Sequence, residues 1–259
     1  MFLSFVRRIA PVLIIAFIVW AFMGLGLDFS RLRHGIRAGG HYVFLMFPQS
    51  VSDWRYDLSL RDSLWEPFLD TIQMAVVGTV LGALAALPVS FFAARTSSLP
   101  RLLTGAIKSY LNMSRAVPTM IYALLMISAV GLGKAAGAMT IAFVSFIALA
   151  KLYAEALESV SQGPVDAIRA VGGNAVQVFI YGMLPQVFPH YLAITLYTFE
   201  YNIKDSFIVG IVGAGGLGYV LLQSMQLFKW LDAGVVIALL IVIINIVDYG
   251  SYRLRLAMS

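Results

Sequence analysis

Long uncharged apolar runs alternate with short clusters of charge along this chain. Ile9 to Leu27 is the first, nineteen residues without a charged side chain, enough to cross a bilayer at about 1.5 Å per residue. Pro67 to Ala94 carries one charge, Asp70, near its start, and Ala116 to Gly133 and Ala135 to Ala150 carry none. Ala170 to Phe199 is free of acidic and basic residues apart from His190, and Ser206 to Phe228 and Ala233 to Val247 complete the series. Backbone groups in lipid must be satisfied within the segment, so these runs are predicted to be helices. Gly78, Gly82, Pro88 and Pro118 fall inside them, where glycine and proline are better tolerated than in soluble helices. Gly78 and Gly82 form a GxxxG pair, which predicts a close helix–helix contact.

Arg7-Arg8 before the first run resembles the start of a signal peptide, but no small-x-small cleavage site follows. The expectation is a retained first helix. The polar stretch from Asp28 to Glu66, with Pro48, Asp53, Arg55, Asp57 and Asp62, reads as an extramembrane loop with some interfacial helix. With the N-terminus inside, ten Lys/Arg fall on the inner side and seven on the outer, and Lys204 lies in the membrane. The margin is small because Arg31, Arg33 and Arg37 pull the other way.

Composition agrees with the pattern. Only 12% of the 259 residues are charged and 60% are hydrophobic, against about 25% charged in a soluble domain. The length suits one bundle. The absence of cysteine excludes disulfide frameworks, thiolate metal sites and cysteine nucleophiles. The net charge of +5 resides in cations between the apolar runs, so membrane orientation explains it and no nucleic-acid partner is expected. His34, His41 and His190 have no acidic partner pattern, and no metal site is expected. Gly-x-Ser-x-Gly and His-Glu-x-x-His are absent, which argues against a membrane hydrolase.

The most informative stretch is Asp166-Ala167-Ile168-Arg169-Ala170-Val171-Gly172, then nine residues, then Gly182-Met183-Leu184-Pro185. It predicts an amphipathic helix from Val165 to Val171 stopped at Gly172, where glycine permits a left-handed turn. A second helix runs toward Leu184, and Pro185 is expected to break it. The spacing resembles the EAA loop of ABC importer permeases: Glu-Ala-Ala, three residues, Gly, nine residues, Ile-x-Leu-Pro. Asp166, Ile168 and Gly182 depart from that pattern; Ala167, Gly172, Leu184 and Pro185 match it. Arg115-Ala116-Val117-Pro118-Thr119, Lys151-Leu152-Tyr153, Gly163-Pro164-Val165, Phe199-Glu200-x-Asn202 and Val212-Gly213-Ala214-Gly215-Gly216-Leu217-Gly218 also resemble the phosphonate branch of these permeases. The likeness covers about residues 67 to 250.

That resemblance implies an all-α polytopic membrane protein of the type I, MetI-like architecture. About six spans are expected, near 9–27, 67–93, 110–132, 135–153, 186–209 and 231–250. The division is an N-terminal helix and loop at 1–66 and a permease core at 67–259, with a cytoplasmic coupling loop at 154–185. Both termini would lie in the cytoplasm of a bacterial inner membrane. The resemblance further implies a homodimer, two ATP-binding cassette ATPase subunits and a periplasmic or lipid-anchored substrate-binding protein. This chain would bind no cofactor. Gly133-Lys134 lacks the P-loop pattern, with Ser128 and Ala135 at its key places, so ATP-Mg would belong to the ATPase. The cargo would be a phosphonate, phosphite, hypophosphite or phosphate ester. A methionine-type permease is the nearest alternative. An ion-coupled secondary transporter is a more distant one, and lacks support because no inverted repeat is visible.

Within that frame, Gly163, Pro164, Asp166, Ala167, Arg169, Gly172, Leu184 and Pro185 are the candidate coupling residues. Gly213, Gly215, Gly216 and Gly218 would form a flexible turn at the outer mouth, preceding a short helix before Lys229; their GxGxxG match lacks the strand that a dinucleotide site needs. Arg115, Pro118, Glu200, Asn202, Lys204 and Asp205 are candidates for the translocation path. Buried charges need a partner or a watery cavity. Glu200 and Lys204 stand at i, i+4 in the favourable order for a helical ion pair, so a structural role competes with a path-lining one.

Overall fold

The computed structural model describes residues 2–24, 29–47, 58–95 and 100–258. Asp28, Pro48, Asp53, Arg55 and Asp57 of the polar stretch lie outside the described residues. The described elements are all helical. The chain divides into two compact units, residues 1–49 and 50–259.

The first unit holds α1 (Phe2–Gly24) and α2 (Phe29–Leu45). In α1, Leu13, Ile14, Phe17 and Trp20 are all exposed, as an apolar helix surrounded by lipid requires. α2 occupies much of the stretch read as a loop with interfacial helix.

The second unit comprises α3 (Leu58–Ala93), α4 (Arg101–Arg115), α5 (Thr119–Val130), α6 (Lys134–Glu158), α7 (Gln162–Ala170), α8 (Ala175–Gln177), α9 (Leu184–Val209), α10 (Gly216–Gln226) and α11 (Trp230–Met258). Among the described residues three helices are long and apolar enough to cross a membrane: Leu64–Ala93, Lys134–Glu158 and Trp230–Leu256. Two bent pairs raise the number to as many as five.

The third expected span, 110–132, is not one straight helix. α4 and α5 meet at 91° across a short break ending at Pro118. Proline cannot donate to the preceding turn and drives its neighbour out of helical geometry, so the apolar run bends there. The Tyr122 hydroxyl donates to the Ser114 carbonyl across the break at 2.9 Å, beside the Val117 N–H at 3.2 Å, so the acceptor that would have bonded an N–H at position 118 stays paired.

α3 packs most extensively on α6, and the GxxxG pair is the reason. A Cβ on Gly82 would stand 2.6 Å from Ser145 Cβ and 2.7 Å from the Ala142 carbonyl; one on Gly78 would stand 2.5 Å from Ile141 Cγ2. Glycine lets the two backbones meet. Gly82→Val should therefore cost about 1–3 kcal/mol by overpacking, read as a lower melting temperature of the purified chain, whereas Gly105→Ala, in open space inside α4, should not lower it. The same three-helix contact holds Asn202. Its amide is buried and donates to Thr79 Oγ1 and Ser145 Oγ, each at 2.7 Å, joining α9 to α3 and α6.

Candidate functional site

The coupling candidates gather around α7. The helix starts at Gln162, three residues before the expected Val165, and takes Pro164 into its first turn, where a missing N–H costs no hydrogen bond. It stops where expected: Gly172 has φ +83°, its N–H donates to the Arg169 carbonyl at 2.9 Å, and the Gly173 N–H donates to Ile168 at 3.0 Å. Val165 is fully buried, whereas Gly163, Pro164, Asp166, Ala167 and Arg169 are exposed, the last pairing with Asp166 at 3.2 Å. Val171 beyond the helix is 82% exposed.

Beneath α7 the chain departs from expectation. Asn174 caps α8 with Gln177 in a reciprocal capping box, at 2.9 and 2.8 Å. Residues 178–183 then form a π-helical turn that leads directly into α9. Pro185 thus breaks no helix. It sits in the first turn of α9, and the wider π turn before it relieves the clash that a proline ring makes with the preceding turn. Leu184 opens α9.

Gln186 clamps α7 to this root. Its Oε1 accepts from the Ser161 N–H at 3.2 Å, and its Nε2 donates to the Ser161 carbonyl at 3.3 Å and to Gly182 at 2.6 Å. A Cβ on Gly182 would lie 3.3 Å from Val165 Cα. The reading of the sequence missed Gln186 and Asn174 as site residues. The Asn-x-x-Gln spacing was a visible signal for one; nothing local pointed to the other.

The intramembrane polar candidates separate into three settings. Glu200 and Lys204 do pair, at 3.4 Å, but inside a chain of four charges that ties α9 to α11. Glu200 also meets Arg255 at 3.5 Å, and Lys204 meets Asp248 at 3.7 Å. Each of the two bridges a pair of partners, but the Glu200 side chain is 14% exposed against 42% for Lys204, so Glu200→Gln should destabilise the bundle more than Lys204→Met. A difference of about 1 kcal/mol or more in detergent unfolding is expected, since an unpaired charge at depth is the costly product. Asn202 is consumed by the α3–α6–α9 contact. Asp205 is buried and accepts from Thr119 Oγ1 at 3.0 Å, across the first residue of α5 just after Pro118.

Arg115 differs from all of these. It has no ion-pair partner among the described residues and lines a cleft of about 350 Å³ between the α4–α5 bend, α6 and α9. Thr119, Tyr122, Tyr197, Thr198 and Tyr201 share its walls. The tyrosines were not singled out from sequence; an isolated tyrosine on an apolar helix carries no local mark of what it faces.

The glycine turn is braced rather than free. Gly213, Gly215 and Gly216 adopt φ values of +111°, +85° and +70°, closed to other L-residues without strain. The Gly213 carbonyl accepts from the Gly133 N–H at 3.2 Å, and Thr71 Oγ1 accepts from the Leu217 N–H at 2.9 Å. Gly218 packs closely against the α9 backbone. Glycine serves conformation at the first three places and close approach at the fourth.

Comparison with known proteins identifies the family and the fold. The profile of the family described as binding-protein-dependent transport system inner membrane component matches residues 78–254. HtxC of Stutzerimonas stutzeri, named for a phosphite transport system, is 32% identical over 244 residues, covering 94% of this chain and 84% of the relative. The phosphite transport system permease protein PtxC of the same organism is 32% identical over 234 residues, covering 90% and 82%. Among solved structures, the methionine ABC transporter MetNI in an inward-facing conformation superposes with a TM-score of 0.66 at 22% identity, covering 74% of this chain and 94% of the other. The chain belongs to the binding-protein-dependent transport system inner membrane component family and is a membrane permease subunit of the ABC importer class with the MetI-like type I fold.

Proposed function

We propose that this permease imports a phosphorus oxyanion, phosphite or a phosphonate, by alternating access powered by a separate ATPase. The observation that carries the mechanism is α7: a short helix anchored by buried Val165, half-buried Ile168 and one glutamine clamp, with its other residues exposed as a partner would need. Two ATPase subunits binding ATP-Mg would each grip one such helix, so the path runs between two copies of the chain. A substrate-binding protein delivers cargo from outside, and α7 with both termini faces the cytoplasm of a bacterial inner membrane. In this reading Gly163, Pro164, Asp166, Ala167, Arg169, Gly172, Leu184 and Pro185 build the coupling loop. Arg115 is the cation for the anion's path, with Pro118 setting the bend that exposes it. The charges of Glu200 and Lys204 brace helices, Asn202 and Asp205 fix their neighbours, and Gly213 to Gly218 shape the outer mouth.

The phosphite assignment rests on relatives 32% identical across nine-tenths of the chain. The methionine transporter shares the fold at 22%, which carries no cargo. Proteoliposomes holding the permease with its ATPase and binding protein decide the matter. ATP-dependent accumulation of labelled phosphite or methylphosphonate, and none of methionine, is expected. Uptake that proceeds without the ATPase, or that follows an ion gradient, would overturn the mechanism; uptake of methionine alone would overturn the cargo.

A further inference from the structure

α4 carries two cavities on opposite flanks. On one lies a cleft of about 500 Å³ lined by Arg95, Arg101, Thr104, Gly105 and Lys108. Lys108 is already engaged: it forms an ion pair with Glu158 at the end of α6, and the same carboxylate accepts from the Arg95 N–H at 2.8 Å. Glu158 offsets one of the three cations, so among the described residues the cleft keeps an excess of two positive charges, with the Arg95 and Arg101 side chains on its wall. On the other flank lies a groove of about 630 Å³ with walls from Val89, Phe92, Leu103, Ala106, Tyr110 and Phe146. The groove is apolar apart from the tyrosine hydroxyl.

The order of these residues along the neighbouring helices fixes what each flank faces. Val89 and Phe92 lie in the last turns of α3, and Arg95 follows two residues past its end. On α6, Phe146 lies twelve residues before Glu158, about 18 Å along the helix. The apolar groove is therefore the flank toward the bilayer interior, and the basic cleft the flank toward its rim. α4 itself turns 91° from α5, so it lies across the direction in which the apolar pair crosses. A helix in the interface plane with apolar residues inward and cations outward is built for a charged lipid surface.

We infer that α4 is a binding site for an anionic phospholipid. The headgroup phosphate is held by Arg95 and Arg101, and an acyl chain lies in the groove under Leu103, Ala106 and Tyr110. Shape and charge both select this occupant. A zwitterionic lipid satisfies the groove but brings no net charge to the surplus cations of the cleft, and free inorganic phosphate satisfies the cleft but leaves the groove without a chain. The leaflet is the cytoplasmic one in the orientation proposed above, but the site does not depend on that orientation.

Native mass spectrometry of the full-length chain in detergent tests this, with phosphatidylglycerol, phosphatidylethanolamine and inorganic phosphate as probes. Phosphatidylglycerol should be retained in preference to phosphatidylethanolamine, and an equal concentration of phosphate should not displace it. The Arg95→Ala/Arg101→Ala double variant should bind phosphatidylglycerol at least about tenfold more weakly, from the roughly 1 kcal/mol that each basic residue adds at an anionic surface. Ala106→Trp, which fills the groove from the opposite side, should weaken retention with both arginines intact. Lys151→Ala, removing a cation elsewhere on α6, should bind as wild type and melt with it. Equal retention of the two lipids overturns the proposal, as does wild-type binding by the double variant or by Ala106→Trp. Displacement by phosphate at equal concentration makes the cleft a free-anion site and overturns the lipid assignment. Transport is not the readout, so failure here leaves the importer reading untouched.

Discussion

A Gly182→Leu chain should insert normally, bind its ATPase, and yet lose most ATP-driven uptake. The position faces the backbone of α7, with room for no more than a methyl group: a Cβ would already approach Val165 Cα to 3.3 Å and the Pro164 carbonyl to 3.5 Å. A leucine must push α7 off its seat, breaking the burial of Val165 and stretching the Gln186 clamp. Overpacking of this kind costs about 1–3 kcal/mol, and the same energy placed in the coupling between two sites is a factor of about 5–150. The expected signature is uptake reduced about tenfold or more while basal ATP hydrolysis by the complex persists. Gly182→Ala should lie close to wild type, and Gln186→Ala between the two. Equal uptake by the leucine variant and wild type would show that α7 needs no fixed seat.

Charge reversal at Arg115 has the second large expected effect. Arg115 is the cation of its cleft and is free of an internal partner among the described residues. Arg115→Glu places a carboxylate on the path proposed above for an oxyanion. At an effective dielectric of about 20, like charges some 4 Å apart repel by about 4 kcal/mol, so uptake should fall by about a hundredfold or more. Arg115→Lys keeps the charge but loses the planar fork, and should retain a measurable fraction. Because Arg115 has no structural ion pair to lose, all three proteins should melt at similar temperatures. Loss of uptake by the glutamate variant together with unfolding would instead make Arg115 a packing residue. Comparing phosphite uptake and melting temperature side by side separates these outcomes.

Much of this architecture was legible because lipid imposes a coarse rule that a linear sequence can display. Uncharged runs marked α3, α6 and α11; the spacing from Asp166 to Pro185 marked the α7 loop; Gly78 and Gly82 marked the α3–α6 contact. What escaped depended on local backbone competition or on distant partners. Pro118 and Pro185 look alike in sequence, yet one bends the chain by 91° and the other follows a π turn that absorbs it. Proline chemistry gives the strain but not where the neighbouring turns will release it. The i, i+4 order of Glu200 and Lys204 announced their pairing, whereas Arg255 and Asp248 join them only because α11 lies alongside α9. Asn202 reads as a path residue until Thr79 and Ser145 are brought to its amide. Arg115 stands out by the reverse logic: folding supplies it with a cavity and, among the described residues, no counter-charge.

The four-charge chain between α9 and α11 also bears on how the protein is made. Translation delivers Glu200 and Lys204 well before Asp248 and Arg255, about fifty residues later. During that interval α9 must either wait in the aqueous shelter of the insertion machinery or enter lipid with Glu200 only half compensated. The last helix therefore acts as a licence for the one before it, and a chain arrested between the two would present the cell's quality-control proteases with a helix that cannot settle.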